Sequence, residues 1–289
     1  RVTDAEWVGS IIRGAPYTFM TESTFIDKSV SRLVAQKPVR YHINALTKSG
    51  RKQLMTVLTG FFKSENLNHE HAFAIHYAIV EIVFNALKAN LKFVAFREEI
   101  RKQLHRFKIY EIEDLLQVII EERTLREFMA TRVVPELLRN QVRQIFDLEE
   151  KYRAGMAAKL RAEQVELLKK FRLLVRSIDA NVTLEITHTP QEIRISVTNK
   201  VPMLARDLER IEHSRKRHRE LHNEGRSGDF FSYENMDTTE SAGFGIAMVD
   251  QGLYRLGLDP FEQLKIQSKN RETIVDLIYP RRVLVSQAQ

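Results

Sequence analysis

At Asp179 the hydrophobic period of this chain changes, and that change constrains the fold more than any other feature. Upstream, residues 96–178 hold a single proline (135) and a single glycine (155) and are dense in Glu, Arg, Lys, Leu and Ile. Leu160, Leu167, Phe171, Leu174 and Ile178 follow the alternating three–four spacing of a helix–helix seam, with Gln164 the polar exception. Downstream, Val182, Leu184 and Ile186 alternate, Thr189-Pro190-Gln191 makes a turn, and Ile193, Ile195 and Val197 alternate again. Alternation on both sides of a tight turn is a β-hairpin signal. A helical hairpin or small bundle followed by a half-buried sheet excludes an all-α or an all-β chain.

The flanking segments fill in the pattern. Residues 1–36 read as a loosely structured entry or a small docking element. Residues 38–46 alternate like a short strand, and Thr47 to Lys63 carries Leu54, Val57, Leu58, Phe61 and Phe62 at helical spacing. A long, strongly apolar helix is expected from His71 to Lys92. Residues 204–240 are charged, poor in large aliphatics and contain Gly225 and Gly228, which predicts a helix start followed by a mobile loop. The run Arg215-Lys216-Arg217-His218-Arg219 falls there and reads as solvated or phosphate-facing, with His218 and His222 as surface histidines. Gly243 to Leu256 is expected to be helical, and Phe261–Ile266 and Thr273–Tyr279 to be strands.

Composition narrows the function classes. With 43% hydrophobic and 29% charged residues the chain can bury a sizeable core, which excludes a wholly disordered polypeptide. Lys plus Arg outnumber Asp plus Glu by 45 to 38, so anionic partners are favoured. The basic run has no interleaved aromatics, so nucleic acid is not the expected partner. The absence of cysteine excludes a disulfide framework and a thiolate nucleophile, and it fits a cytoplasmic protein. No apolar run of about 18 residues stands out, so no membrane span is expected in the chain.

Two patterns carry chemistry. Glu81, Asn85 and Lys88 stand at i, i+4 and i+7 in a helix that is otherwise apolar nearly all round, so they share one stripe. A buried carboxylate, amide and ammonium are expensive unless they are paired or face a polar site. Two readings stand: a Glu–Lys-stabilised solvent face, or a metal–phosphate site. In the second, Asn supplies an oxygen ligand for a hard cation, Glu holds or activates a water, and Lys neutralises phosphate. The other pattern is Gly243-Phe244-Gly245-Ile246 at a helix start, where glycines let backbone N–H groups approach a phosphate; a bare tight turn has the same spelling.

In their order along the chain these pieces resemble a family. Glu81-x-x-x-Asn85-x-x-Lys88 is similar to the N box of the gyrase, heat-shock chaperone, histidine kinase and mismatch-repair ATPases. Ile195 to Asn199 with Pro202 resembles the strand and first glycine box, and Gly243 to Val249 resembles the second. Thr273 before Val275 to Pro280 resembles the terminal Thr–strand–Pro element. The likeness covers about 38–95 and 180–282 and is closest in style to the anti-sigma-factor serine kinases. It implies ATP and Mg²⁺ as cofactors. Asn85 would ligate Mg²⁺, Glu81 would position the attacking group, Gly243, Phe244, Gly245 and Ile246 would hold phosphate, and Asn199 and Thr273 would lie near the adenine. The first glycine box departs from the family: its adenine-reading Asp falls on Asn199, the next Asn on Lys200, and its two glycines on Val201 and Met203.

The expectation is therefore an α/β two-layer sandwich of the histidine-kinase-like ATPase type with a long helical insertion. Its parts would be an entry segment (1–36), a first ATPase part (37–95), the insertion (96–178) and a second ATPase part (179–289). The resemblance implies an ATP-binding regulatory module in signal transduction that, if active, transfers the γ-phosphoryl group of Mg·ATP to a partner protein. It also implies a homodimer, with the insertion as the self-association or docking element. The alternative is a non-catalytic interaction protein that keeps the fold with weak or lost nucleotide binding.

Overall fold

The computed structural model describes residues 22–43, 46, 48–106, 144–145, 147–148, 151–152, 156–177, 181–201, 203, 205–232, 244–269 and 272–285. In chain order the main elements are α1 (Glu22–Val34), β1 (Val39–Ile43), α2 (Lys48–Ser64), α3 (His69–Arg106), α4 (Ala162–Ser177), β2 (Val182–His188) and β3 (Glu192–Asn199). They are followed by α5 (Ala205–Asn223), α6 (Phe244–Arg255), the single turn α7 (Pro260–Gln263), β4 (Leu264–Lys269) and β5 (Glu272–Pro280). The five strands form one open antiparallel sheet in the order β1-β2-β3-β5-β4.

Strand alternation gives the sheet two different faces. Val182, Leu184 and Ile186 of β2, Ile193, Ile195 and Val197 of β3, and Val275, Leu277 and Tyr279 of β5 are buried in the main core. They pack with Val57, Leu58, Phe61 and Phe62 of α2, with Ile75, Ile79, Ile82 and Val83 of α3, and with Ile246, Val249 and Leu253 of α6. The opposite face carries a register row of Arg40, Glu185, Ser196, Asp276 and Lys265, with an ion pair between Arg40 and Glu185. One apolar and one polar face explain why the helices cover one side only. The protein is thus α/β, with a single antiparallel sheet under a layer of helices.

The segment expected to be a loose entry contains α1, which belongs to this core. Phe25 and Leu33 are buried there, and the Phe25 ring meets Tyr41 at 5.7 Å. Arg281 Nη1 donates to His188 Nε2 at 2.6 Å, so the ring proton sits on Nδ1 and donates to the Leu33 carbonyl at 3.2 Å. The short, mixed sequence of 1–36 hides α1 because its apolar stripe is only Phe25, Ile26, Val30 and Leu33.

α3 is longer than its apolar run suggested. It continues for 38 residues, straight across the boundary expected at 95/96. By length and composition alone His69–Ala95 is long and apolar enough to cross a bilayer, with mean hydropathy 1.4. Its buried face (Ala72, Ile75, Ala78, Ile79, Ile82, Val83) lies in the main core. Further on, Val94 and Ala95 enter a second, smaller cluster with Ile145, Leu148, Leu168 and Phe171. Leu160, Leu167 and Leu174 of the expected seam are half-buried against that cluster, and Ile178 lies outside the described residues.

Two other expectations are corrected. The charged stretch after 204 forms a 19-residue helix, α5, followed by a 3₁₀ turn at Ser227–Phe231, so the helix runs well past a start; residues 233–240 of the expected loop lie outside the described residues. The strand expected at Phe261–Ile266 starts at Leu264, because Asp259 caps a turn of helix opened by Pro260: its carboxylate accepts from the Phe261 N–H at 2.9 Å. Gly225 and Gly257, at φ +74 and +68, close α5 and α6 in the left-handed conformation that glycine adopts without strain.

Candidate functional site

Four stretches far apart in sequence meet where α3, the end of β3, the start of β5 and the start of α6 converge. The contact begins on α3. Asn85 Nδ2 donates to Glu81 Oε1 at 3.1 Å, as the i, i+4 spacing allows, and both side chains are half-buried. The Glu81 carboxylate lies on Gly245 in the first turn of α6: a Cβ at that position would overlap it. Glycine is required there by this close approach and not by backbone conformation. Tyr77, one turn before Glu81, is partly exposed, and its phenol is pushed up by desolvation and by the Glu81 charge. Lys88 is half-buried on the same helix.

One residue after Asn85, the carbonyl of Ala86 accepts a hydrogen bond from Asn199 Nδ2 at 3.3 Å. Asn199 is 1% exposed, and its Oδ1 accepts from the Val201 N–H at 3.4 Å. Thr273, its register partner on β5, is also buried and donates from Oγ1 to the Val201 carbonyl at 3.1 Å. Val201 itself is buried. At this end of the convergence the amide and the hydroxyl are therefore bonded to backbone of the chain itself. Ile246 points into the main core. Phe244 opens α6, and Gly243 lies outside the described residues. Met203 is half-buried.

α6 is held from its other side by α5. Arg215, 7% exposed, grips Asp250 through two hydrogen bonds of 2.8 and 3.0 Å. The same guanidinium donates to the carbonyls of Pro260 at 2.8 Å and Leu264 at 3.2 Å and lies 4.6 Å from the Phe261 ring centre. Burial pushes the Asp250 carboxyl up, and Arg215 pulls against that shift. One turn further, His218 is fully buried among Phe230, Phe231 and Tyr254, with Nε2 facing Gln251 Oε1 at 3.1 Å. Its Nδ1 is buried without a hydrogen-bond partner, and burial lowers its pKa. His222 stacks on Tyr254 at 3.7 Å between ring centres. Neither histidine is the surface residue expected from the basic run.

Thus Glu81 touches both Asn85 and Gly245, Asn199 reaches the carbonyl after Asn85, and Thr273 meets Val201 beside it. Asp250, which the sequence reading passed over, anchors α6 in that place. Its signal was a lone carboxylate on the apolar stretch Phe244 to Leu253, the kind of group that needs a buried cation. Among the described residues no three His, Asp or Glu side chains are grouped as a metal site. No family model, no curated protein and no solved structure matches the chain.

Proposed function

We propose that this protein is a nucleotide-binding regulatory module of the histidine-kinase-like ATPase type, taking Mg·ATP between the Glu81–Asn85 stripe of α3 and the start of α6. The observation that supports it is the convergence of 81–86, 199–201, 245 and 273, which have no reason from sequence distance to meet. Asn85 and Glu81 offer oxygen donors suited to a hard cation, and such a cation would neutralise phosphate charge there. With the Glu81 carboxylate moved aside, the Gly245 surface would let a phosphate approach backbone N–H groups. Asn199 and Thr273 set the floor of the adenine end. Any phosphoryl transfer would go to a partner protein, with Glu81 positioning the acceptor. The domain would serve signal transduction in the cytoplasm, and the α3–α4 helical unit would dock the partner or a second copy.

A second reading has its own support. Both polar ends of Asn199 are bonded to Ala86 and Val201, and a buried valine stands where the family has glycine. This favours a module that keeps the fold and has lost adenine recognition.

Thermal unfolding with and without Mg·ATP separates the two. A bound ligand at 100 times its Kd stabilises by about 2.7 kcal/mol. On the nucleotide reading Mg·ATP raises the melting temperature and Asn85→Ala abolishes the rise. An unchanged melting temperature at millimolar Mg·ATP leaves the second reading.

A further inference from the structure

The contact between Glu81 and Gly245 bears on how the proposed site is controlled. Gly245 offers, in the first turn of α6, a surface on which a phosphate could rest against backbone, and the carboxylate of Glu81 fills it. The carboxylate is steadied by Asn85 Nδ2 at 3.1 Å, on a helix whose buried face is fixed in the main core. On the α6 side, the Arg215–Asp250 pair holds the helix in register. An anion entering between the two meets a negative charge in the space it needs. Like charges a few ångströms apart repel in water and more strongly near a protein surface, enough to decide affinity.

We propose that Glu81 is an autoinhibitory occupant of the Gly245 surface, which an entering polyphosphate must displace before it can bind. The inference rests on the nucleotide reading and adds its regulation: the free polyphosphate is rejected by charge, and the resting site is closed by the chain itself. Release of the site is then a swing of one side chain off Gly245, with no backbone rearrangement required. Asn85 loses its carboxylate partner in the same movement, which frees its amide group to face the ligand.

Two measurements test this on the full chain. The first is calorimetric titration with inorganic tripolyphosphate in the absence of divalent cations, for the wild type and Glu81→Gln. The neutral, isosteric variant is expected to bind at least about tenfold more tightly, since removing the repulsion of one charge is worth that factor. Equal affinities overturn the proposal. The second needs no ligand. Gly245→Ala is expected to lower the melting temperature by about 3–6 °C in the wild type, the usual scale of overpacking, and by much less in a Glu81→Ala background. The same loss in both backgrounds shows that the carboxylate does not rest on Gly245 and also overturns it. Mg·ATP binding by the wild type with no tripolyphosphate gain in Glu81→Gln removes the autoinhibition alone. Failure of both proteins to bind either anion removes the nucleotide reading and the autoinhibition with it.

Discussion

The α5–α6 contact and the α3 stripe both place charged groups beside α6, and they treat those groups in opposite ways. Between α5 and α6, Arg215 and Asp250 are taken out of water and satisfy each other, with two backbone carbonyls completing the guanidinium. On α3, Glu81 and Asn85 stay half-buried, joined by one hydrogen bond and laid against a glycine. In the first arrangement the two charged groups satisfy each other inside the protein. The second has polar groups at the edge of solvent on a rigid support. The difference teaches where to look for function: the better-paired charges are the frame, and the more loosely held ones are the site.

The largest expected effect breaks the frame. Arg215→Ala leaves Asp250 buried without its partner and should cost about 3–5 kcal/mol in urea denaturation. A loss below about 1 kcal/mol would put the α5–α6 pair on the same footing as the α3 stripe and erase the contrast. Asn199→Ala comes next. It removes a second donor from the Ala86 carbonyl of α3 and strands the buried Val201 N–H, for an expected loss of about 1–3 kcal/mol.

A pH series sharpens the contrast on the frame side. Burial lowers the His218 pKa below the ordinary histidine value of about 6.5. The unfolded chain then binds a proton more readily than the folded one. Its contribution to stability is complete above about pH 6.5 and is lost as pH falls below it toward the folded value. Replacing the ring by Phe should flatten the stability–pH slope between about pH 5 and 7. His71 and His76, shifted the same way mainly by desolvation, should keep a residual slope. Proton titration of the His218 ring by NMR gives the same answer site by site, and a midpoint at the ordinary value would contradict the buried placement.

The smallest stability effect belongs to the stripe. Glu81→Gln and Asn85→Ala should unfold within about 0.5 kcal/mol of the wild type, as partly exposed substitutions do. Their consequence should appear in ligand titrations. A large stability loss in either would make the stripe a part of the frame.

Much of this arrangement was legible in the sequence. The hairpin of β2 and β3 and the strand β5 followed from period-two alternation with one face buried, and α2 and the first half of α3 from three–four spacing. The order of the motifs singled out Glu81, Asn85, Asn199, Gly245 and Thr273, and the fold sets Glu81 on Gly245 and Asn199 on Ala86. What was hidden has a physical cause in each case. Arg215 and His218 sit at helical spacing inside a run of five basic and imidazole residues, with His222 one turn beyond it, so the buried stripe of α5 looked like a solvated surface. Leu221 and Phe230, which help to bury it, are separated by polar residues and glycines that read as a loop. The extension of α3 past residue 95 was masked by a change from apolar to charged composition, since a helix is continued by backbone hydrogen bonding and not by hydrophobicity. The closing of Asn199 depended on Ala86, a backbone acceptor that leaves no mark in sequence.

The continuity of α3 makes it a lever. No glycine or proline interrupts residues 69–106, so nothing in the chain supplies a hinge between the sheet and the second cluster. At 1.5 Å per residue the helix is about 57 Å long, and Glu81 stands about 21 Å from Ala95. A tilt of about 5° about Ala95 would carry Glu81 sideways by about 1.8 Å, a displacement comparable to a bond length. A load applied to the far arm therefore arrives at the near arm as displacement, with the gain set by where the helix is clamped.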